Sequence, residues 1–108
     1  MNYELAKKLK DVGFSQELTD PSSYYGANGK SYGWSEGEDK PYNNDYAKIP
    51  TLSELIEACG DGHFSLKRTG RLWVTEMGYG IEKPPEIASG STPEEAVANL
   101  WIQLHTNK

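Results

Sequence analysis

Cysteine is nearly absent from this chain of 108 residues. Cys59 stands alone, which excludes an internal disulfide framework and a cysteine-based zinc site and suits a reducing compartment. Histidine is scarce too: His63 and His105 are the only two. With no glycine-rich phosphate loop either, the usual catalytic constellations are missing, and no cofactor is expected. No run of about 18 apolar residues occurs, and the opening MNYELAKKLK lacks the apolar stretch of a signal peptide. The chain is therefore expected to be soluble, unexported and cytoplasmic, with no membrane partner. Cations are outnumbered, 11 Lys and Arg against 16 Asp and Glu for a net charge of -5, which argues against general nucleic-acid binding. Hydrophobic residues make up 36% of the chain, so the core must be modest, and the length suits a single domain spanning residues 1–108.

What is present falls into three parts. Residues 1–14 carry Leu5, Ala6, Leu9 and Val12 at helical spacing, with Asn2 as a cap and Gly13 as a stop. A left-handed Gly13 would let Phe14 fold back on Leu9 in a Schellman ending. So short a helix is marginal alone and must dock on something downstream.

Residues 15–49 have few aliphatic side chains. Four glycines and six aromatics, Tyr24, Tyr25, Tyr32, Trp34, Tyr42 and Tyr46, lie between Pro21 and Tyr46. Asn28-Gly29 between Tyr25 and Tyr32 signals a small hairpin. Tyr and Trp among Gly, Ser and Asn match the composition of binding surfaces. The rings either cover the helices and the sheet edge, or Tyr24, Tyr25, Tyr32 and Trp34 form a contact surface. A hairpin at a sheet edge also allows pairing with a second copy, a possible homodimer.

Residues 50–106 read as α-β-β-β-α. Thr51-Leu52-Ser53-Glu54 fits a capping box, and Leu52, Leu55, Ile56 and Cys59 form one apolar stripe ended by Gly60. Phe64 and Leu66 alternate with polar residues, and a turn is expected at Thr69-Gly70. Leu72 to Met77 has apolar residues on both parities, which predicts a central strand covered on both faces. Pro84-Pro85 leaves room only for a short, irregular third strand between Ile81 and the last helix. That helix starts with Thr92, Pro93 and a second capping box at Glu95, and Ala96, Val97, Leu100, Trp101 and Leu104 make a wide stripe; His105 and Lys108 suit its C-terminal dipole. The fold class is α+β, a three-stranded antiparallel sheet packed with helices, with the core drawn from Leu9, Leu55, Ile56, Phe64, Leu66, Val74, Val97, Leu100, Trp101 and Leu104.

Candidate chemistry is thin. Cys59 and His63 are too few for zinc, and Cys59 on an apolar stripe reads as a small hydrophobe. Glu94 and Glu95 serve the helix start rather than acid-base work. Lys67, Arg68 and Arg71 form the only basic cluster, either a solvated face or a contact for an anion or a partner.

The order α-β-β-β-α is that of a double-stranded RNA-binding domain. Those domains open the final helix with lysines that touch phosphate, whereas this chain has Pro93-Glu94-Glu95. Gly90-Ser91-Thr92-Pro93-Glu94-Glu95-Ala96-Val97-Ala98-Asn99-Leu100 is similar to the helix start of HicB-type antitoxins, which inhibit an RNA-cleaving toxin. Three blocks together, residues 2–14, residues 49–60 and the GSTPEEAVANLW stretch, resemble small uncharacterised proteins of phages and prophages with an α-β-α sandwich arrangement. That resemblance implies phage origin and no known activity. The expectation is a non-catalytic binding protein of phage type, interfering with a host-defence factor by binding a host protein, or sequestering a small anionic ligand between its tyrosines and Lys67, Arg68 or Arg71. A HicB-like antitoxin and an unrecognised small enzyme are the alternatives.

Overall fold

The computed structural model describes residues 1–41 and 45–106. Tyr42, counted among the aromatics, and Lys108, assigned to the last helix end, lie outside the described residues. The fold is α+β and falls into two compact units, Met1–Pro50 and Thr51–Lys108, with the border where the aromatic segment meets the α-β-β-β-α block. No described helix is long and apolar enough to cross a membrane.

The first unit begins with α1, Tyr3–Val12. The Asn2 side chain accepts the Leu5 N–H at 2.8 Å, and Gly13 adopts φ 108°. The Phe14 N–H reaches the Leu9 carbonyl at 2.9 Å and the Gly13 N–H reaches the Lys10 carbonyl at 3.0 Å, which is the Schellman pattern. The aromatic segment holds more than the expected hairpin. It forms a three-stranded antiparallel sheet in the order β2-β1-β3, from β1 (Ser22–Gly26), β2 (Ser31–Trp34) and β3 (Tyr46–Ile49). Asn28-Gly29 sits within a longer turn than a two-residue one: Gly29, at φ 80°, donates to the Gly26 carbonyl, and Gly26 in turn donates to the carbonyl of Lys30. β3 supplies the dock that α1 needs, and the Lys10 ammonium donates to the Tyr46 carbonyl.

The second unit has α2 (Leu52–Ala58), then β4 (His63–Thr69), β5 (Leu72–Gly78) and β6 (Glu86–Gly90) as an antiparallel meander, then α3 (Pro93–Thr106). The α2 capping box is complete: the Glu54 N–H donates to Thr51 Oγ1 at 3.2 Å and the Thr51 N–H to Glu54 Oε1 at 2.9 Å. At α3, Thr92 Oγ1 accepts the Glu95 N–H at 3.1 Å, but the Glu95 carboxylate reaches Ser91 instead of closing the box on Thr92. The hairpin turn is Gly70-Arg71 rather than Thr69-Gly70, with Gly70 at φ 64°. Both prolines precede β6, so it pairs regularly with β5 from Glu86 to Gly90.

β5 is central, yet only one of its faces is covered. Thr75 and Met77 are fully buried on the face toward which α3 packs, while Leu72, at 50% exposure, and Glu76 lie on the opposite face. The register puts Ile87 opposite Glu76 on that open face, 52% exposed. The two parities of apolar residues therefore reflect one packed face and one partly open one. Thr75, a buried polar residue, donates its hydroxyl to the Ser65 carbonyl at 3.0 Å, which removes the cost of burying it. Of the expected core, Leu9, Leu55, Val97, Leu100 and Trp101 are buried, whereas Ile56, Phe64, Leu66, Val74 and Leu104 are half-buried.

β6 runs closely into α3. A Cβ on Gly90 would stand 2.6 Å from the Ala96 nitrogen, so only glycine fits there. Asn99 and Gln103 of α3 bond back to the Ser89 carbonyl and the Glu86 carboxylate of β6.

Candidate functional site

In the first sheet, Tyr24 pairs with both Tyr32 and Lys48, Ser22 with Trp34, and Gly26 with Tyr46. Directly paired residues share a face. Tyr24, Tyr32, Trp34, Tyr46 and Lys48 therefore stand on one face, and Tyr25, Ala47 and Ile49 on the other. Tyr24 stacks on Tyr32 with ring centres 5.6 Å apart and meets Tyr46 edge to face. Gly26 makes room for this arrangement, since a Cβ there would come within 3.0 Å of the Tyr32 ring. Tyr32 is 43% exposed, and its hydroxyl accepts from the Asn28 amide at 2.9 Å.

Tyr25 is separated from this group. Its ring meets Tyr3 of α1 edge to face at 5.6 Å, and its hydroxyl donates to the Met1 carbonyl. It is a docking residue for α1.

Trp34 belongs to the aromatic face and is also core: it is 7% exposed and clusters with Leu18 and Tyr46, with Tyr24 packed against them. The segment before β1 closes over this cluster. Tyr46 donates its hydroxyl to the Gln16 carbonyl at 2.6 Å, and burial pushes that phenol above its ordinary range, so it stays a donor at neutral pH. Lys48, only 3% exposed, sends its ammonium to the Glu17 carbonyl.

Beside this cluster lies a cavity of about 440 Å³, walled by Leu18 and Trp34 and rimmed by Asp20, Glu36, Glu38 and Lys40. The turn that carries the rim is held by the Glu38 N–H donating to the Ser35 carbonyl at 3.1 Å, with Gly37 at φ 97°. The Lys40 ammonium stands 5.3 Å from the centre of the Trp34 ring, within cation-π range. The indole N–H of Trp34 is buried and meets no acceptor among the described residues. Sequence reading did not single out Leu18, Asp20, Glu36, Glu38 or Lys40. The one available signal was the short charged run Glu36-Gly37-Glu38-Asp39-Lys40, separated from Trp34 by Ser35 alone.

The basic residues of the second unit do not gather on one face. Lys67 pairs with Val74 and Arg68 with Trp73, so the two point to opposite sides of the hairpin. Arg68 Nε donates to the Gly70 carbonyl at 3.1 Å, and Arg71 occupies the turn. Tyr24, Tyr25, Tyr32 and Trp34 all belong to the first unit, and Lys67, Arg68 and Arg71 to the second.

Cys59 is buried at the end of α2, and burial pushes its thiol up to about 11, so it is protonated at neutral pH and poorly nucleophilic. His63 is exposed at the start of β4. Among the described residues no three His, Cys, Asp or Glu side chains are placed to hold a metal ion. Comparisons with protein families, curated proteins and solved structures find no match.

Proposed function

We propose that the chain is a non-catalytic binding protein of phage type, which interferes with a host factor, such as a defence component in the host cytoplasm, by occupying a protein surface. The observation that carries this reading is the Trp34 cavity on the aromatic sheet face. An exposed Tyr32, stacked on Tyr24, stands on the same face as a buried tryptophan that walls a rimmed cavity. Rigid aromatic anchors next to a pocket are the ordinary means by which a small surface gains affinity. The phage and host-defence part of the reading is supported by the resemblance of the three sequence blocks.

A protein surface is favoured over a small anion. Lys67 and Arg68 are split between two faces of one hairpin with Arg71 in its turn, and three carboxylates line the cavity.

The test is capture from host-cell lysate with the immobilised full chain, compared with a Tyr32→Ser, Glu36→Gln variant whose circular dichroism is unchanged. The expected result is a protein retained by the parent chain and lost by the variant. Equal retention by both, or none by either, overturns the reading. Light scattering on the free chain identifies the case in which the retained partner is a second copy.

A further inference from the structure

We propose that the cavity beside Trp34 receives an organic cation, the alkylammonium or guanidinium end of a lysine or arginine side chain, and that Lys40 of this chain occupies the place when no ligand is bound. This deepens the preceding reading and rests on it only in taking the same sheet face as the contact.

Three observations support a cation. The face of an indole attracts positive charge, and Lys40 already exploits that attraction at 5.3 Å from the Trp34 ring centre. Around that ring the lining residues include three carboxylates, Asp20, Glu36 and Glu38, against the one ammonium of Lys40. The local field therefore still favours positive charge with Lys40 in place. Leu18 and Trp34 supply an apolar wall along which an alkyl stem can lie while its charged end meets the carboxylates.

The same carboxylates do not form a metal site, since no described set of three is placed to ligate one. They form a rim for a cation larger than a metal ion, in a cavity whose volume of about 440 Å³ is that of a small-molecule site. The indole N–H of the same ring is buried without an acceptor among the described residues, a standing cost on the wall of the cavity. Free amine and peptide-borne lysine share this chemistry and differ in what flanks the cation.

Lys40 then acts as a competitor held on its own chain. A site occupied by an internal group binds its ligand more weakly in proportion to that occupancy, and removing the group restores the affinity.

The test is a titration of the full, isotope-labelled chain followed by the indole N–H resonances, with the Trp34 signal identified by a Trp34→Phe variant. The probes are Nα-acetyl-lysine methylamide, its neutral isostere Nα-acetyl-norleucine methylamide, inorganic phosphate, and a six-residue Ser and Ala peptide with one central lysine. The lysine probe should shift the Trp34 signal, with norleucine and phosphate leaving it in place. Lys40→Ala should tighten the lysine probe at least about threefold. Glu36→Gln with Glu38→Gln should weaken it by about two- to fivefold, and added salt should do the same. A peptide that binds tenfold or more tightly than the single amino-acid derivative, on the order of one extra anchored contact, assigns the site to a protein segment. Equal affinity shows that neighbouring residues add nothing beyond the lysine and its own amides, and both results uphold the cation. Norleucine or phosphate shifting Trp34 as strongly as lysine, or Lys40→Ala leaving the affinity unchanged, overturns it. If the lysine probe fails while a host protein is still captured, the cation site falls and the binding reading stands. If the probe binds and nothing is captured, the reverse holds.

Discussion

The Gln16 side chain closes the outer edge of β3 by accepting the backbone N–H of Lys48 at 2.7 Å, while its amide nitrogen donates to the Phe14 carbonyl at 3.0 Å. A strand edge with a free N–H is a template for pairing with another chain, and here one carboxamide fills it. Gln16→Ala should destabilise the first unit by about 1 to 3 kcal/mol, the cost of leaving a part-buried donor unmet. Amide hydrogen exchange at Lys48 is the direct readout: it should accelerate in the variant while Leu55 and Leu100 keep their protection.

Leu100 is fully buried in α3 and Leu104, one turn later, is half-buried. Leu100→Ala should cost about 2 to 5 kcal/mol, and Leu104→Ala clearly less. Urea denaturation of the two variants ranks them, and equal losses would show that α3 is rotated from the packing described.

Gly90 should tolerate no side chain. Since a Cβ would stand 2.6 Å from the Ala96 nitrogen and 2.8 Å from backbone of Glu95, Gly90→Ala must push the end of β6 off the start of α3, with a cost of about 1 to 3 kcal/mol. A thermal midpoint within one degree of the parent would contradict that close approach.

Glu95 sets a pH dependence. The Ser91 hydroxyl bonded to its carboxylate holds it below the ordinary range, with partial burial opposing and the Ser91 N–H reinforcing. A carboxylate lowered on folding adds stability that is present above its unfolded value of about 4.3, and that is lost as pH falls through the folded value. Glu95→Gln should therefore lower the stability of the second unit at pH 7 by less than about 1 kcal/mol, since the group is partly exposed. The difference should shrink toward zero in acid. Chemical denaturation at pH 7 and pH 3 separates this from a loss of packing, which would persist at both.

The helix ends and the meander were legible in the sequence because their causes are local. Asn2, Thr51 with Glu54, and Thr92 each bond to a residue three positions on, and Phe64 and Leu66 alternate within one strand. β3 was not legible. It is four residues long, and its alternation is masked by Lys48, a buried cation whose ammonium donates to the Glu17 carbonyl 31 positions away. The site was half legible. Tyr24, Tyr32 and Trp34 stood out by type, but Tyr25 could not be told from them until pairing placed it on the other face with Ala47. Nor could the composition show that Trp34 is both core and cavity wall, because Leu18 and Lys40 reach it from either side along the chain.

The long span between α1 and β3 has a consequence for the order of folding. The meander of the second unit is closed by neighbours in sequence, with Thr69 facing Leu72 across a two-residue turn. In the first unit, Lys10 must find Tyr46 over 36 positions and Tyr46 must find Gln16 over 30. Short closures form before long ones, because the chain entropy of the long ones is lost before their contacts are gained. During refolding, the amides of β4 and β5 should become protected from pulsed hydrogen exchange ahead of those of β3, so the dock for α1 is completed after the meander.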